Sequence, residues 1–175
     1  MKLNLRAKPA KIRSKIEITD EEGNAMYYIQ NKAFSFHDTA YLLDADGEGI
    51  ATITRSALSF YNTHLIVLSG GTTIELRPKR LGMVKSGLDI ADLGWRFAGD
   101  FAQQSYQLTD DRGQMLARVH KKRVPHHNGY EVEVLDEERM DLIVAVLAAL
   151  DKMTADRSGT EEVSSGTPGQ DDAQS

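Results

Sequence analysis

The segment from Met140 to Leu150, Met-Asp-Leu-Ile-Val-Ala-Val-Leu-Ala-Ala-Leu, constrains the fold more than any other part of the chain. Asp136 can cap a helix here, and Glu137 and Glu138 in the first turn oppose the positive end of the macrodipole. The spacing predicts a helix over Glu137–Met153, about 25 Å long at 1.5 Å per residue. Met140, Ile143, Val144, Leu147 and Leu150 form one apolar stripe, but Leu142, Val146 and Ala149 cover the opposite side. A helix with no polar face must be buried all round. The apolar run Leu142 to Leu150 is too short to span a bilayer, so the rest of the chain has to enclose it.

Residues 11–135 supply the enclosure. Ile12, Ser14, Ile16 and Ile18 alternate with Arg13, Lys15 and Glu17. Runs of strand length follow at 41–43, 50–54, 64–68, 73–76 and 130–134, rich in β-branched and aromatic residues and closed by turn residues. Asp20-Glu21-Glu22-Gly23, Asp44-Ala45-Asp46-Gly47, Ser69-Gly70-Gly71 and Asp110-Asp111-Arg112-Gly113 each separate two such runs. Asp can start a turn by bonding its own backbone, and Gly supplies the positive φ at the reversal. Gly23, Gly47 and Gly71 recur every 24 residues, and the phrase Lys32-Ala33-Phe34-Ser35-Phe36 returns as Ser56-Ala57-Leu58-Ser59-Phe60. The repeat predicts a meander of hairpins, not βαβ units. Eleven strand candidates lie between Ile12 and Val134, with Leu3 to Leu5 as a twelfth. Many strands and one wholly apolar helix predict an all-β fold in which a closed barrel surrounds the C-terminal helix.

Composition divides the chain. From Ser158 to Ser175 the only large apolar residue is Val163, so this stretch reads as a disordered acidic tail. The expected division is a barrel domain at 1–153 and a tail at 154–175. Asp151, Asp156, Glu161, Glu162, Asp171 and Asp172 face only Lys152 and Arg157 there, a net of −4, leaving residues 1–150 at −1 of the chain's −5. The barrel domain is near neutral, and an anionic partner is not excluded. With no cysteine there are no disulfides, thiolate metal sites or cysteine nucleophiles, as suits a reducing compartment. The N-terminus lacks the apolar region of a signal peptide, so a cytoplasmic location is expected.

The hairpin phrases, the run Trp95-Arg96-Phe97-Ala98-Gly99-Asp100-Phe101, and the strand pair Tyr106–Thr109 and Leu116–Val119 carry a family resemblance. So do Lys121-Lys122 and the apolar C-terminal helix. Together, over about residues 1–153, the chain resembles the LURP-one-related family with its YxjI-like bacterial members, which groups with the tubby C-terminal domain and the phospholipid scramblases. The resemblance implies a twelve-stranded antiparallel barrel threaded by the C-terminal helix. Tubby relatives bind phosphoinositides through basic residues, and scramblase relatives work at membranes. This chain lacks the scramblases' cysteine-rich stretch and proline-rich arm, so scramblase activity is not expected.

Three basic groups stand out: Lys2, Arg6, Lys8, Lys11, Arg13 and Lys15; Arg77, Lys79, Arg80 and Lys85; and Arg118, Lys121, Lys122 and Arg123, followed by His126 and His127. Solvated strand ends that discourage edge pairing would explain them. They could also hold an anionic headgroup, each charge contributing on the order of 1 kcal/mol near a lipid surface. The candidate anion-binding residues are Arg77, Lys79, Arg80, Arg118, Lys121, Lys122 and Arg123. No catalytic residues, metal or cofactor are expected. Ser14, Ser35, Ser56 and Ser59 lack a nucleophile elbow. His126-His127 have no third ligand at a metal spacing, and Asp44, Asp46 and Glu48 read as a hairpin turn, not a calcium loop. The expected function is a non-catalytic, monomeric binding or regulatory protein, peripheral at the membrane. It would engage an anionic phospholipid headgroup or a protein partner through a basic surface. A nucleic-acid-associated transcriptional regulator is the alternative, and strongly salt-dependent DNA binding would mark it.

Overall fold

The structure is a computed structural model; it describes residues 1–8, 15–31, 39–56, 63–77, 88–100, 105–124 and 127–161, with only the backbone at 6–8, 15, 121–124, 127–129 and 154–161. Twelve strands follow one another: β1 (Lys2–Lys8), β2 (Lys15–Thr19), β3 (Ala25–Asn31), β4 (Thr39–Asp44), β5 (Gly49–Arg55) and β6 (His64–Leu68), then β7 (Thr73–Leu76), β8 (Leu88–Ile90), β9 (Trp95–Asp100), β10 (Ser105–Thr109), β11 (Met115–Val124) and β12 (His127–Val134). A 3-10 turn at Ala91–Leu93 joins β8 to β9, and a second at Glu137–Arg139 leads into α1 (Met140–Glu161).

The hairpin turns form as their sequence dictates. The Asp20, Asp44 and Asp110 carbonyls accept from the N–H groups of Gly23, Gly47 and Gly113 at 3.3, 3.2 and 3.1 Å. The same Asp side chains reach forward. Asp44 Oδ1 accepts from the backbone of Asp46 and Glu48 at 3.0 and 2.8 Å, and Asp110 Oδ1 does so from Arg112 and Gln114 at 3.0 and 2.8 Å. Register shifts lie beside these three turns, at Ile18/Thr19, Leu42/Leu43 and Leu108/Thr109. The calcium-like run at Asp44 is therefore a turn whose carboxylate is spent on backbone. The repeated Ser-Phe phrases lie outside the described residues apart from Ser56.

All neighbouring strands are antiparallel, in the order β7-β6-β5-β4-β3-β2-β1-β12-β11-β10-β9-β8. Sequence neighbours are sheet neighbours except β7 and β8, and one further pair joins strands far apart in the chain. β1 pairs with β12, so the first and last strands meet in the middle of the sheet. Its two edges, β7 and β8, come together to make a nearly closed barrel, and the Glu75 N–H donates to Asp92 Oδ2 at 2.8 Å across the seam.

The helix fills this barrel. Asp136 caps the 3-10 turn by accepting from the Arg139 N–H at 3.2 Å. From Ile143 to Leu150 every residue is 5% exposed or less, packed against inward residues such as Leu3, Ile18, Leu42, Ile53 and Phe97. Burying each such side chain contributes about 1.5–3 kcal/mol. The Tyr27 hydroxyl donates to Asp141 Oδ1 at 2.6 Å and ties the start of α1 to the wall. Glu137–Arg139 are 3-10 where the sequence predicts α-helix, and α1 runs on past Met153 to Glu161.

Candidate functional site

Strict antiparallel order sorts the connections to two ends of the barrel. One end holds the β2–β3, β4–β5, β6–β7, β8–β9 and β10–β11 turns and the entry to α1. It carries Asp20, Glu21, Glu22, Asp46, Glu48, Asp92, Asp110, Asp111, Asp136, Glu137 and Glu138 against the Met1 ammonium, Lys2, Arg112 and Arg139. At the other end the strands finish or begin with Arg6, Lys8, Lys15, Arg77, Lys121, Lys122 and Arg123, with Asp100 as the acidic strand end. Among the described residues, one end of the barrel is mainly acidic and the other mainly basic.

Strand pairing gathers the basic end further. Lys8 stands opposite Lys15 between β1 and β2. Arg6 on β1 and Lys122 on β11 both stand opposite Gly129 of β12, one from each side. The two backbones are two strand spacings apart, about 10 Å, and the position between them has no side chain. Arg6 and Lys8 continue the series of Lys2 and Asn4, which alternates with the core residue Leu3. Lys121 and Arg123 take the other series of β11, opposite Tyr130 and Asn128, in line with buried Val119 and Val132.

The candidates named from sequence are distributed as follows. Lys121, Lys122 and Arg123 lie at the β11 end, within this strip, their side chains outside the described residues. Arg118 lies further down β11, 3.6 Å from Glu133 and with its Nε donating to Met115 Sδ at 2.8 Å. Arg77 shares the basic end but sits on the far side of the seam from β11, ion-paired to Glu75 at 2.6 Å. Lys79 and Arg80 lie outside the described residues. Sequence reasoning did not select Arg6, Lys8 and Lys15, which join Lys122 only because β1 pairs with β12.

The acidic end holds a cavity of about 420 Å³ between the β8–β9 and β10–β11 turns, lined among others by Asp89, Trp95, Arg96, Asp110 and Asp111. Its polar groups largely satisfy one another. Arg96 Nε is 3.0 Å from Asp89 Oδ1, and Asp110 serves its own turn and lies 4.0 Å from Arg139. Arg139 stacks 5.6 Å over the Trp95 ring and donates to Asp136 Oδ2 at 2.7 Å, and that hydrogen bond holds the Asp136 carboxyl below its ordinary range. Among the described residues no three His, Asp or Glu gather as a metal site needs.

A half-buried acid, Asp151, lies on α1 near its last core residue, Met153. Burial raises the Asp151 carboxyl above its usual range despite Lys152 beside it. Burial, with the Asp151 charge second and Tyr130 third, raises the Tyr106 hydroxyl as well. Tyr106 lies at the start of β10, at the end of the barrel opposite the entry to α1.

The chain matches the family described as LURP-one-related over residues 1–151. No curated protein matches it. Among solved structures it is similar to an Arabidopsis thaliana protein determined by X-ray crystallography, with a TM-score of 0.58 at 16% identity, covering 86% of this chain and 91% of that one. At that identity the likeness speaks for the fold, an all-β, tubby-like barrel with one helix. No helix among the described residues is long and apolar enough to cross a membrane.

Proposed function

This chain belongs to the LURP-one-related family, and from that premise and the charge layout of its barrel we propose that it is a non-catalytic binding protein for an anionic phospholipid headgroup. In this reading it works as a monomer at the cytoplasmic face of a membrane, with the basic end toward the lipid. The observation that carries the reading is the placement of Arg6 and Lys122 on either side of Gly129, with Lys8 and Lys15 beside them. These residues lie on four neighbouring strands, β2, β1, β12 and β11. The acidic end turns away from the bilayer in this pose, which the negative surface potential favours.

Co-sedimentation of the full chain with phosphatidylcholine vesicles, with and without a phosphoinositide, tests the reading. Binding should require the anionic lipid. Lys121→Glu, Lys122→Glu and Arg123→Glu together should weaken it by roughly 100-fold or more, at about 1 kcal/mol per charge near the surface. Arg112→Glu, at the opposite end, should leave it unchanged. Equal weakening by Arg112→Glu would remove the end-specific account. Salt-dependent binding to duplex DNA with none to anionic vesicles would replace it with the nucleic-acid reading.

A further inference from the structure

Two carboxylates at the acidic-end cavity are left short of donors. The side chain of Asp110, which follows β10, is only 8% exposed. Its Oδ1 accepts from the Arg112 and Gln114 amides at 3.0 and 2.8 Å, so that oxygen is saturated by its own turn. Its Oδ2 receives no hydrogen bond among the described residues. The Arg139 guanidinium stands 4.0 Å away, too far for one, and is engaged with Asp136 at 2.7 Å. A carboxylate oxygen in a largely buried side chain calls for a donor, and Asp110 lines the cavity. Asp111 lines it too, exposed and with no hydrogen bond or ion pair among the described residues.

The rest of the wall suits an organic cation. Buried Ile90 and Trp95 supply apolar surface. Arg96 is paired with Asp89 at 3.0 Å, so the uncompensated charge of the lining is that of Asp110 and Asp111. Beside the cavity the chain already seats a guanidinium between a ring and a carboxylate, with Arg139 stacked on Trp95 and bonded to Asp136. The volume of about 420 Å³ falls within the roughly 300–1,000 Å³ of small-ligand sites. Among the described residues the acids do not converge as a metal ion needs, which leaves a larger cation as the fit.

We propose that this cavity binds a guanidinium or primary ammonium group on a short apolar stem. The head group donates to Asp110 Oδ2 with its charge balanced by Asp111, and the stem lies against Ile90 and Trp95. Free amines carry such a group, and so do the arginine and lysine side chains of proteins. The site goes beyond the headgroup reading and is independent of it, since it lies at the opposite end of the barrel.

Trp95 is the only tryptophan, so its indole N–H is a single reporter in the full chain. Butylguanidinium should shift that resonance and the amides at 89–91, 94–96 and 109–113 saturably. Neutral butylurea, of the same shape, should not. Asp111→Asn changes an exposed side chain, and Asp110→Asn keeps an oxygen for the turn amides, so both variants should fold. Each should weaken butylguanidinium binding by about tenfold, as loss of a charge-assisted contact does. Glu22→Gln, in the β2–β3 turn, should leave it unchanged. An equal response to butylurea, an unmoved indole resonance, or undiminished binding by both Asp variants overturns the proposal. A short blocked peptide with one central arginine separates the sources. Shifts of the same resonances by the peptide assign the site to a protein side chain, and shifts by butylguanidinium alone assign it to a free small cation.

Discussion

Gly99 sits where β9 and β10 approach most closely. Its φ is 138°, and an added Cβ would stand 2.5 Å from the Ser105 carbonyl oxygen and 2.7 Å from the Tyr106 Cα. Backbone cannot yield as a side-chain tip can, so Gly99→Ala should cost on the order of 2 kcal/mol or more, loosening the Phe97–Tyr106 edge-to-face contact at 5.7 Å. Gly23, at φ 89° with nothing near its Cβ, should lose only about 1 kcal/mol on the same change. Urea unfolding of the two variants compares them, and equal losses would contradict the close approach. Two carboxyls set opposite pH responses. The Asp136 carboxyl is depressed by Arg139, so the stability it contributes is complete above the unfolded value near 4 and lost as pH falls below it. Asp136→Asn should flatten the acid limb of the melting curve. The Asp151 carboxyl is raised by burial, so stability declines as pH climbs from about 4 through its folded value. Asp151→Asn should therefore melt higher than the parent at pH 7 and converge with it near pH 4. A variant that melts lower at pH 7 would show that the buried carboxylate stabilises the fold.

At the scale of elements, α1 decides whether the barrel forms. Leu147 is 5% exposed inside it. Leu147→Asp places an unpaired charge there and should abolish folding, whereas Leu147→Ala should cost about 2–5 kcal/mol and leave a cooperative melt. A cooperative, soluble Leu147→Asp variant would contradict the buried helix. The elements legible in the sequence are those with local causes. Asp and Gly three residues apart fix their own hairpins, and a helix with no polar face must go inside. The β1–β12 pairing was not legible, because Leu3 and Val132 meet across almost the whole chain and neither names the other. The seam between β7 and β8 was hidden for the same reason, with Asp92 rather than a strand partner serving Glu75. Site residues followed these limits. Lys121–Arg123 could be read as a run, but the company of Arg6 and Lys8 depends on pairing at long range.

At the scale of the molecule, charge is separated along the barrel although residues 1–150 sum to near zero. Antiparallel order gives every second connection to each end, and acids have collected in the tight Asp-Gly turns, where their side chains are needed by the backbone. Several basic residues, Arg6, Lys8, Lys15 and Lys121–Arg123, stand at the opposite strand ends, where the proposed headgroup would meet them. The most direct test is a titration of the full chain with a soluble inositol phosphate, followed by backbone amide shifts. The account predicts shifts at 6–8, 121–124 and 127–129, with the turns at 20–24 and 110–114 unmoved. Shifts at those acidic-end turns, or none at the basic strip at saturating ligand, would contradict it.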